Sequence, residues 1–180
     1  MIYESTPWKR ELRRSASMLS LWGRKLQTER GYLMLEKHVF LSAFIVRKLF
    51  DNHKITDARR AQIVEVGFFR AKTGVLGGVS SAIGKSFLDE VYELESREVR
   101  SISVRELVSQ IIHSFFFVLE SNDVDETFLY FNSDWTKGKF VIEFSLSRYV
   151  QFLRDVARDR VCSLSITVDR LTGKTVVALT

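Results

Sequence analysis

Thr127-Phe-Leu-Tyr-Phe-Asn-Ser-Asp-Trp-Thr-Lys-Gly-Lys-Phe-Val-Ile-Glu-Phe-Ser145 decides the fold class. Two runs rich in aromatic and β-branched residues, Thr127–Asn132 and Lys139–Ser145, flank Asp134-Trp-Thr-Lys-Gly138, which reads as a turn. Strands joined this closely pair antiparallel, because parallel partners need a crossover of a dozen or more residues. The same signals recur downstream, where Ser163–Asp169 and Lys174–Leu179 form a hairpin around Leu171-Thr-Gly173. Upstream, Ile63–Phe69 reads as a strand, and the triple aromatic of Phe115-Phe-Phe-Val-Leu119 favours a strand over continuation of the helix before it. Alternation along these runs predicts one covered sheet face and one partly wet face.

Helices account for the rest. Thr6 can cap a helix with Pro7 at its first position, running to about Gln27. Around it, Trp8, Leu12, Leu19, Trp22 and Leu26 occupy a sector roughly 80° wide, and Lys9, Arg10, Arg13, Arg14, Arg24 and Lys25 occupy one of about 160°. A second helix, about Tyr32–Asp51, is apolar on most sides and is expected to be buried against the sheet. Ser103-Val-Arg-Glu106 fits a capping box, with Ile102 and Leu107 as its hydrophobic staple, and opens a helix to about Ser114. Ser147 caps a further short helix to about Arg158. The expected architecture is α+β: N-terminal helices, one long and buried, packed on a mostly antiparallel sheet of about five or six strands with two shorter interspersed helices. Residues 1–180 read as a single domain, with a helical front to about residue 60, a strand-rich remainder and a flexible loop at about 73–86.

Apolar residues make up 46% of the 180 and charged residues 27%, the composition of a folded globular chain rather than a disordered one. The single cysteine, Cys162, allows no intrachain disulfide and reads as a small buried hydrophobe. With no secretory signal and no apolar run of spanning length, a cytoplasmic location is expected. The charge is uneven. Residues 1–75 carry 15 basic and 7 acidic side chains, a net of +8, while residues 76–180 net −3, a dipole that steers polyanions toward the front.

No complete catalytic motif appears. Gly78-Val-Ser-Ser-Ala-Ile-Gly84-Lys85-Ser86 approaches a P-loop, but five residues separate its glycines where four are required, so it reads as a loop with a solvated lysine. His38, His53 and His113 lack zinc-helix spacing; His38 reads as a hydrogen-bonded core histidine and His53 as solvated. Interleaved arginines make Asp155 and Asp159 read as a salt-bridged face. No metal or cofactor is expected.

Arg105 and His113 share one helix, about 80° apart around it and about 12 Å along it. The pair is similar to the arginine–histidine pair of helical ribonucleases of the HEPN class, which usually have fewer residues between the two than the seven here. The resemblance covers these two residues and the helical front half, and it implies His113 as general acid or base and Arg105 as phosphate clamp. The alternative is a solvated Arg105 and a His113 that satisfies helix-end carbonyls.

The basic sector of the first helix carries the main functional expectation: a non-enzymatic binding module that holds nucleic acid or an acidic protein partner through Lys9, Arg10, Arg13, Arg14, Arg24 and Lys25. Trp135, at a hairpin tip beside Lys137, is a base-stacking candidate. Two other uses suit the apolar sector of the same helix: an interface in a larger assembly, or contact with an anionic membrane surface.

Overall fold

The computed structural model describes residues 4–23, 28–73, 85–121, 126–168 and 175–179. Residues 74–84 of the glycine-rich run, the Leu171-Thr-Gly173 turn, and Arg24 and Lys25 lie outside these residues, while Lys85 and Ser86, read as the end of that loop, open a helix. The elements in order are α1 (Thr6–Trp22), α2 (Glu29–Asp51), α3 (Asp57–Arg60), β1 (Ile63–Arg70), α4 (Lys85–Val91), β2 (Glu98–Ser103) and α5 (Val104–Ile112). They continue with β3 (Ser114–Ser121), β4 (Thr127–Ser133), β5 (Phe140–Ser145), α6 (Leu146–Arg158), β6 (Leu164–Val168) and β7 (Thr175–Leu179).

Helices pack on a five-stranded sheet of order β2-β1-β5-β4-β3, in which every pairing is antiparallel. The quoted stretch forms β4 and β5, paired from Phe128↔Ser145 to Phe131↔Ile142. The C-terminal hairpin does not join this sheet. It stands as a separate two-stranded sheet, β6–β7, tied down where the Leu179 amide donates to the Asp57 carboxylate at 2.8 Å. β2 had no signal in the sequence, because its polar alternation (EVRSIS) is that of a solvated edge strand.

Alternation divides the side chains of the sheet between two cores. Val64 and Val66 of β1, Leu129 and Phe131 of β4, and Ile142 and Phe144 of β5 face the helices. Phe69, Val118 and Val141 face the other way, where Leu88 and Val91 of α4 cover them with Tyr92. The helices directly over the first face are α5 and α6, while α2 lies on α1 and α5. The central helix also reaches the sheet at β3, where the Phe40 and Phe117 ring centroids are 5.1 Å apart and the Tyr32 hydroxyl accepts from the Leu119 amide at 3.3 Å. It buries Leu35, Val39, Val46 and Leu49 but leaves Leu33 and Phe44 exposed.

The helix starts show how local chemistry fixes these layers. Ser103 Oγ accepts from the Glu106 amide at 3.1 Å, as the capping box requires. α6 is capped by Ser145, the last residue of β5, rather than by Ser147, so strand runs into helix with no loop between. α1 starts one residue before Pro7, with Ser5 at the cap position and no side-chain cap bond. It ends at Trp22, and a Cβ on the following Gly23 would stand 2.8 Å from Leu146 Cδ2, so a larger residue there would require the Leu146 side chain to shift.

A buried polar knot ties three helices together. Tyr149 of α6 donates to the Val39 carbonyl at 3.2 Å and shares a 2.9 Å hydrogen bond with Ser42. One turn earlier on α2, His38 Nδ1 meets Ser15 Oγ of α1 at 3.3 Å, so His38 is the satisfied core histidine expected of it. The apolar sector of α1 goes into this packing: Leu12 and Leu19 are fully buried, and Trp8 and Trp22 pack against the core. Burying each leucine contributes roughly 1.5–3 kcal/mol. Leu12 and Leu19 of that face are therefore occupied from within, Trp8 and Trp22 remain partly exposed, and Leu26 lies outside the described residues.

Candidate anion site

Three chain segments converge at one end of the helical layer: the start of α1, the turn after α2, and the segment that leaves α6. Between them is a cavity of about 610 Å³ whose charged wall is Lys9, Arg13, Lys54, Arg160 and Asp159, with His53 beside them. Four permanent cations face one carboxylate.

Asp159 builds the frame. Its carboxylate accepts from the Thr56 amide at 2.8 Å and the Thr56 hydroxyl at 2.7 Å, which locks the turn after α2 to the end of α6. Its backbone carbonyl accepts from Lys9 Nζ, which locks α1 to the same point. Asp159 thus uses its carboxylate on Thr56 rather than offering it to the arginines. Among the described residues neither Asp155 nor Asp159 pairs with the interleaved arginines; the Asp155 carboxylate lies 3.8 Å from Arg59 of α3 instead.

Lys9 is the main correction to the sequence reading. It was expected on the solvated basic sector, but it is 6% exposed, because the end of α6 folds over that edge of α1. Burial holds its pKa below the ordinary lysine value; Asp159 opposes this, while Arg160 and Arg13 push the same way as burial. The site therefore concentrates positive charge that its own carboxylate does not balance. Arg13 and Arg160 are exposed, Lys54 is half-buried, and none of the three makes an ion pair among the described residues. Arg10 and Arg14 point outward on α1, away from the cavity wall, and Arg14 reaches Glu11 at 4.0 Å.

His53 sits at the mouth in the left-handed region, with φ 54°, where it closes α2 in the place usually held by glycine. The Lys54 amide then reaches back to the Leu49 carbonyl at 2.9 Å, and this turn is what aims Lys54 into the cavity. Cys162, expected to be buried, is exposed on the cavity's far wall, because the segment that carries it leaves α6 for the detached hairpin instead of entering the sheet. His53, Lys54, Asp159 and Arg160 had no functional signal in the sequence. They reach the site from two separate segments, the turn after α2 and the chain leaving α6, and no spacing rule relates these to each other or to α1.

The remaining candidates lie elsewhere. Trp135 is 86% exposed in the β4–β5 turn. Its neighbour Lys137 is engaged, 2.6 Å from Asp134 and 4.0 Å above the Phe115 ring. Arg105 lies 3.5 Å from Asp51, and His113 is the exposed C-cap of the same helix, so among the described residues no contact joins the ribonuclease-like pair.

A second cavity, of about 330 Å³, opens on the other face of the sheet around Glu143. Its polar groups satisfy one another: Arg97 Nε donates to Glu143 Oε1 at 2.8 Å and the Tyr130 hydroxyl to Oε2 at 2.7 Å. Burial, and then the bond to Glu143, hold the Tyr130 pKa well above the ordinary tyrosine value. Among the described residues no group of three or more His, Cys, Asp and Glu side chains is placed to hold a metal ion, and no helix is long and apolar enough to cross a membrane.

Fold and cavity together define an α+β protein with a cationic cavity at one end of its helical layer. Comparison of the chain with family models, curated proteins and solved structures finds no match.

Proposed function

We propose that this protein is a non-enzymatic nucleic-acid-binding module that holds phosphate at the start of α1. The observation that carries this reading is the cavity wall itself, where Lys9, Arg13, Lys54 and Arg160 converge with one carboxylate already engaged by Thr56. Arg10 and Arg14, exposed on the neighbouring surface of α1, extend the positive field. Such a wall suits phosphate better than a protein partner, because the buried centres of protein interfaces are depleted of charge.

The test is binding of the full chain to fluorescent single-stranded RNA and duplex DNA at about 50 and 200 mM salt. One phosphate in the cavity and one at each of Arg10 and Arg14, about three in all, predict that affinity falls roughly twenty- to fortyfold between the two. The expected result is salt-sensitive binding that weakens when Arg13 and Lys54 are replaced by Ala. Absence of binding at low salt overturns the reading, and retention of an acidic peptide under the same conditions would assign the cavity to a protein ligand instead.

A further inference from the structure

On the reading just given, we infer that the cavity takes a phosphomonoester terminus of a nucleic acid, rather than a phosphodiester from within the strand.

Shape is the first reason. Among the described residues of α1, Arg10 and Arg14 are exposed outside the cavity wall, whereas Lys9 and Arg13 line it. Lys9 lines the cavity yet is 6% exposed, so a group that touches its ammonium must enter the cavity. The volume of about 610 Å³ lies within the range of pockets for small ligands, roughly 300–1,000 Å³, and suits one terminal nucleotide. An internal phosphate has to leave by two ester links. The start of α1, the turn at Lys54 and the segment at Arg160 wall the cavity on three sides, which suits a chain that leaves by one.

Charge is the second reason. A phosphodiester brings one negative charge, whereas a monoester brings about −1.5 to −2 at pH 7 and three acceptor oxygens. Four cations and a single committed carboxylate match the more highly charged group. Arg13 and Arg160 have guanidinium forks free of ion pairs among the described residues, and such forks bind pairs of phosphate oxygens. Lys9 and Lys54 add point charges deeper in the wall.

The experiment compares three oligonucleotides of one sequence, with a 5′-phosphate, a 3′-phosphate or hydroxyls at both ends, binding to the full chain near physiological salt. A phosphate-ended strand is expected to bind about tenfold tighter than the hydroxyl-ended one, the effect of roughly one charge-assisted contact. Arg13→Ala and Lys54→Ala should each abolish that advantage, whereas Arg10→Ala should weaken all three strands equally. Far-ultraviolet circular dichroism shows whether each variant is folded, and both cavity variants change side chains that are not fully buried. Equal affinity for the three strands would overturn the terminal-phosphate inference and leave the proposed function standing. Binding of a nucleoside monophosphate with no binding of any strand would overturn both. Preference for a phosphate end that persists in both cavity variants would place the end elsewhere and overturn the inference.

Discussion

Adding a single methyl group at Gly67 should cost this fold more than most core truncations of similar size. Gly67 lies directly opposite Glu143 in the β1–β5 register. A Cβ at Gly67 would stand 2.6 Å from Glu143 Oε1, 3.0 Å from Arg97 Nε and 3.0 Å from Glu143 Cβ. The first distance cannot be absorbed by breathing, so the carboxylate has to leave. Leaving breaks its bonds from Arg97 and Tyr130. The Tyr130 bond, made to a charged acceptor that is 8% exposed, is worth roughly 1.5–3 kcal/mol. The Arg97 pair adds at most about 1 kcal/mol, because that arginine side chain is half exposed and solvent screens it. Removing a glycine from a strand interior returns about 0.5–1 kcal/mol. The net expectation is a loss of about 0.5–3.5 kcal/mol, read as a lower urea midpoint at unchanged slope. The double variant Gly67→Ala, Glu143→Ala should lie about 1–2 kcal/mol above the sum of the singles, since the clashing oxygen is gone from the second background. Tyr130 supplies an independent readout: its alkaline titration should move down toward the ordinary tyrosine value in Gly67→Ala. A Gly67→Ala protein within 0.5 kcal/mol of the parent, with additive doubles, would refute the reasoning.

Two further outcomes follow from buried or strained histidines. Burial, with Lys37 and Arg14 and against Glu11, holds the His38 pKa below its ordinary 6.5. The unfolded chain therefore binds this proton first, and the stability His38 contributes is complete above 6.5 and is lost as pH falls through 6.5 toward the depressed folded value. Urea melts at pH values on either side should show a smaller loss on acidification in His38→Gln than in the parent, and parallel losses would refute the assignment. His53→Gly relieves a left-handed residue at the cavity mouth and should raise stability by about 0.5–1 kcal/mol, or about 2–4 °C in Tm per kcal/mol for a chain of this length. A drop in Tm would mean that the His53 contact with Arg60, at 3.3 Å, outweighs the strain.

Much of the fold was legible because it is written in local rules. The capping box at Ser103 and the strand-turn-strand of 127–145 each need only a few adjacent residues to be specified, and both stand as expected. The placement of β1 between β2 and β5 was not legible, since it pairs Gly67 with Glu143 across most of the strand-rich half. Nor was the detachment of β6–β7. Its alternation is as good as that of β4, but Leu164, Ile166 and Val168 stay exposed among the described residues.

The cationic site illustrates the same limit. Angular sorting along α1 puts Lys9 and Arg10 in one sector, and they differ by only about 100° around the helix. What separates them is cover, and cover comes from Asp159, 150 positions away, which takes the Lys9 ammonium on its carbonyl while its carboxylate holds Thr56. A helical wheel gives the direction of a side chain but not what lies there. Once α6 ends over Lys9, the basic face divides into an outer pair, Arg10 and Arg14, and an inner set lining the cavity, of which Lys9 is buried while Arg13 and Arg160 stay exposed. The outer pair supplies attraction that any polyanion would feel, so discrimination between ligands has to come from the inner set.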